Sequence, residues 1–215
     1  MANAAMHRKN KDDGINLYTT PEWATQVLID AGELDGYKYF WEPCCGMGHM
    51  SQVIEQAIAE RWKPGVTLQS TDLFDHNYGT TGIDFLAYTD AEVDCIVTNP
   101  PFDKAGTHFK MLKHALAMKS VKKVCFFMPV QFLETKERAE WLEECMYFDA
   151  MYSFADRVKC LTGGDEALSK DNTAKHYAWF IFDKRRESLS APASIKFLYK
   201  PDELRRKSPK KGTNK

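Results

Sequence analysis

The sequence lacks the features of a secreted or membrane-bound protein. It has no run of about 18 apolar residues, the length that a bilayer-crossing helix needs, and no signal peptide is recognisable. Its six cysteines are scattered without a C-x-x-C pair, and Cys44-Cys45 followed by His49 fits no common zinc spacing. We therefore expect a protein of the reducing cytoplasm that binds neither a membrane nor a metal ion.

A strong charge of either sign is also missing, since the formal net charge is −1 over 215 residues. This balance alone argues neither for nor against a nucleic-acid partner. Its distribution is uneven: residues 205–215 hold six Lys and Arg and no acid, which leaves 23 basic and 30 acidic residues elsewhere. Such a basic tail is either a solvated chain end or an arm that binds phosphates.

Apolar runs alternate with amphipathic segments along most of the chain. This alternation predicts an α/β fold, a doubly wound, mostly parallel seven-stranded sheet with a C-terminal antiparallel strand pair. Thr20 is expected to cap the first helix, with Pro21 at its first position. The predicted helices are 20–32, 51–62, 105–118 and 135–145, and the predicted strands are 37–43, 66–72, 82–86, 93–99, 122–129, 148–154 and 175–183.

Three segments with functional character follow predicted strands, where open parallel sheets bind ligands. The first, "EPCCGMG", places Gly46 and Gly48 before a helix, but it lacks the third glycine of a dinucleotide fingerprint and the lysine of a P-loop. It is therefore either a cofactor loop or a tight strand-helix turn. The second ends in Asp72, which could bind ribose hydroxyls or simply cap a turn.

The third segment, "TNPPF", indicates a more specific chemistry. Because Pro100 and Pro101 have no N–H group, the turn is stiff, and Asn99 is held in an extended conformation. The side-chain oxygen of Asn99 and the carbonyl of Pro100 could accept both hydrogens of a planar amino group, while Phe102 stacks on the ring that bears it. Such acceptors favour a pyramidal nitrogen and restore its lone pair, so no strong base is required.

"NPPF" resembles the catalytic motif of adenine-N6 DNA methyltransferases, most closely the small stand-alone enzymes of bacteriophages. The resemblance covers about residues 17–183, with the cofactor motifs before the catalytic one, as in the gamma arrangement. It implies that Asn99, Pro100, Pro101 and Phe102 form the catalytic site and that S-adenosylmethionine is the cofactor. The cofactor-binding residues that it implies are Tyr18, Thr19, Thr20, Pro21, Glu42, Pro43, Cys44, Gly46, Gly48, His49, Asp72, Leu73, Asp84 and Phe85.

The resemblance also implies a DNA partner, although no segment is long enough to be the recognition domain of the larger enzymes. "FADRVKC" and "YAWFIFDK" nearly match two further family segments, with Cys160 where an aromatic residue is usual. The loop between the last two strands and the basic tail are then expected to contact nucleic acid. The residues that we assign to this contact are Arg157, Lys159, Lys170, Arg205 and Arg206.

The organisation implied is a flexible segment over 1–16, a methyltransferase domain over 17–200 and a basic tail over 201–215. The protein would be a monomer or a homodimer. Three alternatives stay open, namely methylation of adenine in RNA, methylation of a glutamine amide in a protein, and an inactive subunit that binds cofactor or nucleic acid. If the enzyme is encoded by a phage, it would act in the bacterial cytoplasm.

Overall fold

A computed structural model of the chain describes residues 17–62, 64–88, 92–163, 175–186 and 192–205. These residues form four α-helices, nine β-strands and three short 3-10 turns. The helices are α1 (Glu22–Asp30), α2 (His49–Glu60), α3 (Thr107–Ala117) and α4 (Lys136–Glu144). The strands are β1 (Tyr18–Thr19), β2 (Tyr39–Glu42), β3 (Thr67–Ser70), β4 (Cys95–Thr98), β5 (Lys123–Pro129), β6 (Phe148–Phe154), β7 (Leu161–Thr162), β8 (Tyr177–Asp183) and β9 (Ser194–Leu198).

Seven of these strands form one sheet in the order β3-β2-β4-β5-β8-β6-β9. The first four are parallel neighbours, whereas β8 runs antiparallel to both β5 and β6. The predicted α/β class and the antiparallel pairing of the last two predicted strands are confirmed. The short strands β1 and β7 pair separately, as an antiparallel ribbon.

Two hydrophobic clusters cover the two faces of the sheet. One cluster contains the buried residues of α1 and α2 and includes Trp179, and the other contains those of α3 and includes Trp41. Both tryptophans are completely buried, as expected of core residues. All seven residues of β8 are buried, as is typical of a strand that has neighbours on both sides and helices on both faces.

Two details of the predicted sheet are wrong. The expected strand at 82–86 is absent, because Asp84 accepts a hydrogen bond from the Leu86 N–H and starts a 3-10 turn at Phe85–Ala87. The seventh strand is instead β9, which pairs in parallel with β6 at the edge of the sheet. Its sequence, "SIKFL", was not predicted to be a strand, and four of its five residues are exposed, Ile195 and Phe197 among them.

The start of α1 also differs from the prediction. The N-cap residue is Pro21, and Thr20 lies one position before it without capping the helix. The hydroxyl group of Thr20 is used elsewhere, in a hydrogen bond with Asn99. None of the helices in the described part of the chain is long and apolar enough to cross a membrane.

Candidate active site

The carboxyl ends of β2, β3 and β4 meet at one edge of the sheet, because the three strands are parallel neighbours. The glycine loop follows β2, Asp72 follows β3, and Asn99 follows β4. The three segments singled out in the sequence are therefore brought together. This edge of an open α/β sheet is where ligands bind in doubly wound folds.

The loop between β2 and α2 depends on two glycines in the left-handed region. Gly46 has φ +50° and Gly48 has φ +83°, a conformation that side chains rarely adopt. A Cβ atom on Gly48 would lie 2.5 Å from the ring of Tyr78. The loop therefore brings its backbone close to neighbouring groups and turns directly into the first residue of α2, His49.

Asp72 ties this loop to the end of β3. Its Oδ2 accepts a hydrogen bond from the Gly46 N–H at 2.9 Å, and its Oδ1 accepts one from the Phe74 N–H at 2.9 Å. Each carboxylate oxygen has capacity for a further donor. Asp72 thus makes the turn contacts that were one of its two expected roles. It also keeps the lone pairs that it would need for the other role, binding ribose hydroxyls.

Glu42 is buried at the end of β2 and faces α2. Its carboxylate accepts a hydrogen bond from the Ser51 hydroxyl, which also lies 2.6 Å from the hydroxyl of Ser70. Burial raises the pKa of Glu42 well above its ordinary value, although the hydrogen bond from Ser51 opposes the shift. These contacts join β2, α2 and β3 beneath the glycine loop.

The side-chain amide of Asn99 has a defined orientation. Its Nδ2 donates to the backbone carbonyl of Tyr18 at 3.0 Å and to Thr20 Oγ1 at 3.1 Å. Both amide hydrogens are therefore used, and no hydrogen bond among the described residues involves Asn99 Oδ1. The oxygen is left as an acceptor at the edge of the sheet, beside the rigid Pro100-Pro101 turn.

Phe102 is partly exposed and stacks on His108, with ring centroids 4.0 Å apart and planes 24° from parallel. His108 is buried in α3, and neither of its ring nitrogens has a hydrogen-bond partner among the described residues. Burial, together with the nearby Arg138, lowers the pKa of His108 to about 4. The ring behind Phe102 is consequently neutral at physiological pH. The sequence pattern gave no indication of a role for His108.

Tyr18 and Thr19 reach the site through the β1–β7 ribbon. The Thr19 hydroxyl donates to the Leu161 carbonyl at 3.4 Å, and the Gly163 N–H donates to the Leu17 carbonyl at 2.7 Å. The segment that includes "FADRVKC" therefore runs beside the residues that hold Asn99. The sequence did not predict this pairing, because each of the two strands has only two residues.

The remaining expected cofactor residues lie around the same edge, with different exposures. Phe85 is buried against Trp41 at a centroid distance of 4.9 Å, and Asp84 is exposed and caps the 3-10 turn. Pro43 and Cys44 form the turn after β2, and Leu73 is half-exposed. Two apolar side chains that the sequence analysis missed, Met47 and Phe74, are also exposed on these loops, with relative exposures of 40% and 66%.

The residues expected to contact nucleic acid have different surroundings. Lys159 is exposed near β7, and Arg157 is exposed there but also interacts with a neighbouring group. Arg205 is paired with Asp156 at 3.1 Å and with Asp202 at 2.9 Å. Lys170 and Arg206 lie outside the described residues.

Two further lysines are positioned close to the site. Lys175 Nζ lies 5.6 Å from the ring centre of Tyr18, and Lys200 Nζ lies 5.6 Å from that of Trp23. Lys175 was not among the expected contacts, because the sequence predicted a strand over 175–183, whereas Lys175 lies in the loop before β8.

The two cysteines of the loop are poor candidates for nucleophiles. Burial raises the pKa of Cys44 well above its ordinary value and that of Cys45 to about 12, so both thiols are protonated at neutral pH. Within the described ranges, no group of three or more His, Cys, Asp or Glu side chains is arranged to hold a metal ion.

No protein-family model and no curated protein matches the chain. Solved structures do resemble it. A type I restriction-modification methyltransferase subunit from Streptococcus thermophilus is 13% identical with a TM-score of 0.58, and the alignment covers 85% of this chain and 47% of that one. A proposed RNA methyltransferase from Pyrococcus horikoshii is 14% identical with a TM-score of 0.59, and coverage is 82% and 90%.

A third similar structure is a proposed class I S-adenosylmethionine-dependent methyltransferase from Listeria monocytogenes. It is 12% identical with a TM-score of 0.56, and the alignment covers 84% of this chain and 65% of that one. The chain spans about half the length of the type I subunit. At these identities the likeness concerns the fold alone. The chain therefore has the fold of class I S-adenosylmethionine-dependent methyltransferases.

Proposed function

We propose that the protein transfers a methyl group from S-adenosylmethionine to the N6 amino group of adenine in DNA. The observation that carries this proposal is the orientation of the Asn99 amide. Because Nδ2 donates to Tyr18 and Thr20, Oδ1 is available to accept a hydrogen from a substrate. An acceptor next to a stiff Pro-Pro turn and a partly exposed aromatic ring suits a planar aromatic amine.

The residues of the glycine loop fit the cofactor. At Gly46 and Gly48 a Cβ atom would collide with Leu17 and Tyr78, so only glycine allows the loop to make its tight turn against these side chains. His49, at the start of α2, has a buried Nδ1 without a partner among the described residues. A helix amino terminus with backbone N–H groups and an unused imidazole nitrogen suits the polar methionine end of the cofactor. The free lone pairs of Asp72 suit its ribose hydroxyls.

When bound, S-adenosylmethionine supplies an electrophilic methyl group attached to a sulfonium centre. The protein's task is to present the amino nitrogen of the substrate with its lone pair available. Asn99 Oδ1 and the Pro100 carbonyl would each accept one amino hydrogen, which favours a pyramidal nitrogen. Phe102 would hold the base by stacking, worth roughly 1–3 kcal/mol. The new N–C bond would form as the methyl–sulfur bond breaks, which leaves the sulfur as a neutral thioether, and the cationic amino group would then lose one proton to solvent.

Adenine in duplex DNA is stacked, so it would have to be flipped out to reach Asn99. Lysines beside the site can hold the phosphates of the distorted strand. Lys159 is exposed on the segment that leads into β7, while Lys175 and Lys200 lie against the rings of Tyr18 and Trp23. The contact of Lys175 with Tyr18 supports this role, because Tyr18 also contacts Asn99.

The test is to incubate the protein with S-adenosylmethionine and either unmethylated duplex DNA or total RNA. The nucleic acid is then digested, and methylated nucleosides are quantified by mass spectrometry. We expect N6-methyldeoxyadenosine from the DNA sample with the wild-type protein and none with Asn99→Ala. Methylated adenosine from the RNA sample alone would mean that the substrate is RNA and not DNA. A protein that binds the cofactor but modifies neither sample would refute the proposal.

A further inference from the structure

We infer that Thr20 is a positioning residue for methyl transfer: its side-chain oxygen, with the Tyr18 carbonyl, fixes the direction of the Asn99 amide. The inference rests on the proposed function and changes the role of Thr20, which family resemblance assigns to the cofactor. In the structure the Thr20 Oγ1 atom lies 3.1 Å from Asn99 Nδ2 and the Tyr18 carbonyl oxygen lies 3.0 Å from it.

The Tyr18 carbonyl decides which end of the amide faces the substrate, because it can only accept, and Thr20 Oγ1 adds a second hydrogen bond that holds the amide in that orientation. Rotating the amide by half a turn would exchange its N and O atoms and point Oδ1 at the Tyr18 carbonyl, which cannot donate. The amino group of the substrate would then face the NH₂ group of Asn99, which is a donor, whereas the proposed reaction requires an acceptor there. A carboxylate at position 99 would meet the same carbonyl, which explains why an amide suits this site.

The segment that supplies these acceptors is itself held in place. The β1–β7 ribbon pairs Tyr18 with Thr162 and Thr19 with Leu161, and α1 begins directly after Pro21. Thr20 is 4% exposed, so water has little access to replace its oxygen. The acceptors are therefore fixed by elements that are distant in sequence from Asn99, as preorganisation of a catalytic group requires.

Thr20→Val tests the inference, because valine keeps the shape of threonine and removes the acceptor. We expect the turnover number to fall about 10-fold, the effect of losing one buried hydrogen bond, while the affinity for S-adenosylmethionine changes less than 2-fold. Thr20→Ser keeps the oxygen and should restore most of the turnover. Thr25→Val is the matched control, since Thr25 is a fully buried threonine of α1 whose hydroxyl has no partner among the described residues.

A second measurement reads the orientation without any substrate. In the wild-type protein both side-chain amide protons of Asn99, assigned by their loss in Asn99→Ala, should exchange slowly with solvent in NMR spectra. In Thr20→Val one of them should exchange much faster, and in Thr25→Val neither should change.

The two measurements separate the possible failures. If the wild-type protein methylates no substrate, the proposed function fails, and rapid exchange of both Asn99 protons in that protein would overturn the positioning as well. If the wild-type protein is active and Thr20→Val has wild-type turnover, the inference is refuted while the function stands. An equal loss of turnover in Thr20→Ser and Thr20→Val would also refute it, because the effect would then follow from packing.

Discussion

Replacing Gly48 by alanine tests whether the glycine loop must approach its neighbours closely. The new Cβ would have two consequences. First, the backbone at φ +83° is strained for any L-residue, at a cost of about 1 kcal/mol. Second, the Cβ would lie 2.5–2.6 Å from three atoms of the Tyr78 ring, so the ring must move by about 1 Å to reach ordinary contact.

Moving Tyr78 has a further effect, since its hydroxyl donates to Glu55 Oε1 at 3.0 Å. Losing that exposed hydrogen bond adds up to about 1 kcal/mol. Gly48→Ala should therefore lower the free energy of unfolding by about 2 kcal/mol. It should also weaken S-adenosylmethionine binding at least 10-fold, because the methyl group and the displaced ring alter the space that the loop leaves for a ligand.

Gly36 offers a matched control, because it lies just before β2, at the amino ends of the parallel strands and away from the site. Its φ is +86°, and a Cβ built there meets nothing within 4 Å. Gly36→Ala should thus show the backbone cost of about 1 kcal/mol alone, with unchanged cofactor affinity. Urea denaturation and titration calorimetry on the two variants separate the effects. Equal losses of stability with wild-type cofactor affinity in both would refute the argument.

Three further predictions concern other parts of the site. Asn99→Ala should reduce turnover at least ~10²-fold, as loss of an oxyanion donor does, with cofactor binding by calorimetry nearly intact; unchanged turnover would contradict the catalytic assignment. Folding lowers the pKa of His108 from 6.5 to about 4. As the pH falls through this range, the unfolded chain takes up a proton that the folded chain does not bind, so the free energy of unfolding should fall by up to about 3 kcal/mol. In urea denaturation, the free energy of unfolding of His108→Phe should fall correspondingly less over the same pH range. The same pH dependence in variant and wild-type protein would disprove the burial of a neutral ring. Lys175→Ala should reduce the slope of DNA affinity against salt by about 1, the effect of one phosphate contact, whereas Lys119→Ala, exposed at the opposite sheet edge, should not.

The sequence predicted the interior of the sheet well, because its strands are continuous apolar runs. Strand β6 has the predicted bounds, and β5 and β8 differ by at most two residues. The errors lie at the edges of the sheet, where burial gives weaker patterns. At 82–86 the local preference of Asp84 to cap a turn outweighed an apolar pair that could have formed a strand.

The prediction for Thr20 failed for a different reason. A threonine before Pro-Glu is a strong local signal for a helix cap, yet the hydroxyl accepts from an amide 79 residues away. Local rules cannot anticipate this competition, because it depends on how the chain folds. The stacking of Phe102 on His108 was also not predicted. The two residues are only six positions apart, but their contact depends on the conformation of the turn between them.

Asn99 connects these errors with the chemistry. The residues of "TNPPF" indicate that an acceptor is needed, but an asparagine has a donor and an acceptor of nearly equal size, and the sequence cannot say which faces the substrate. The answer comes from the Tyr18 carbonyl, which can only accept, and Thr20 supports the same orientation with a second hydrogen bond. Sequence reasoning had another role for both residues. The departure from the local capping rule at Thr20 therefore coincides with the group whose orientation the proposed reaction requires, as is expected where function overrides local preference.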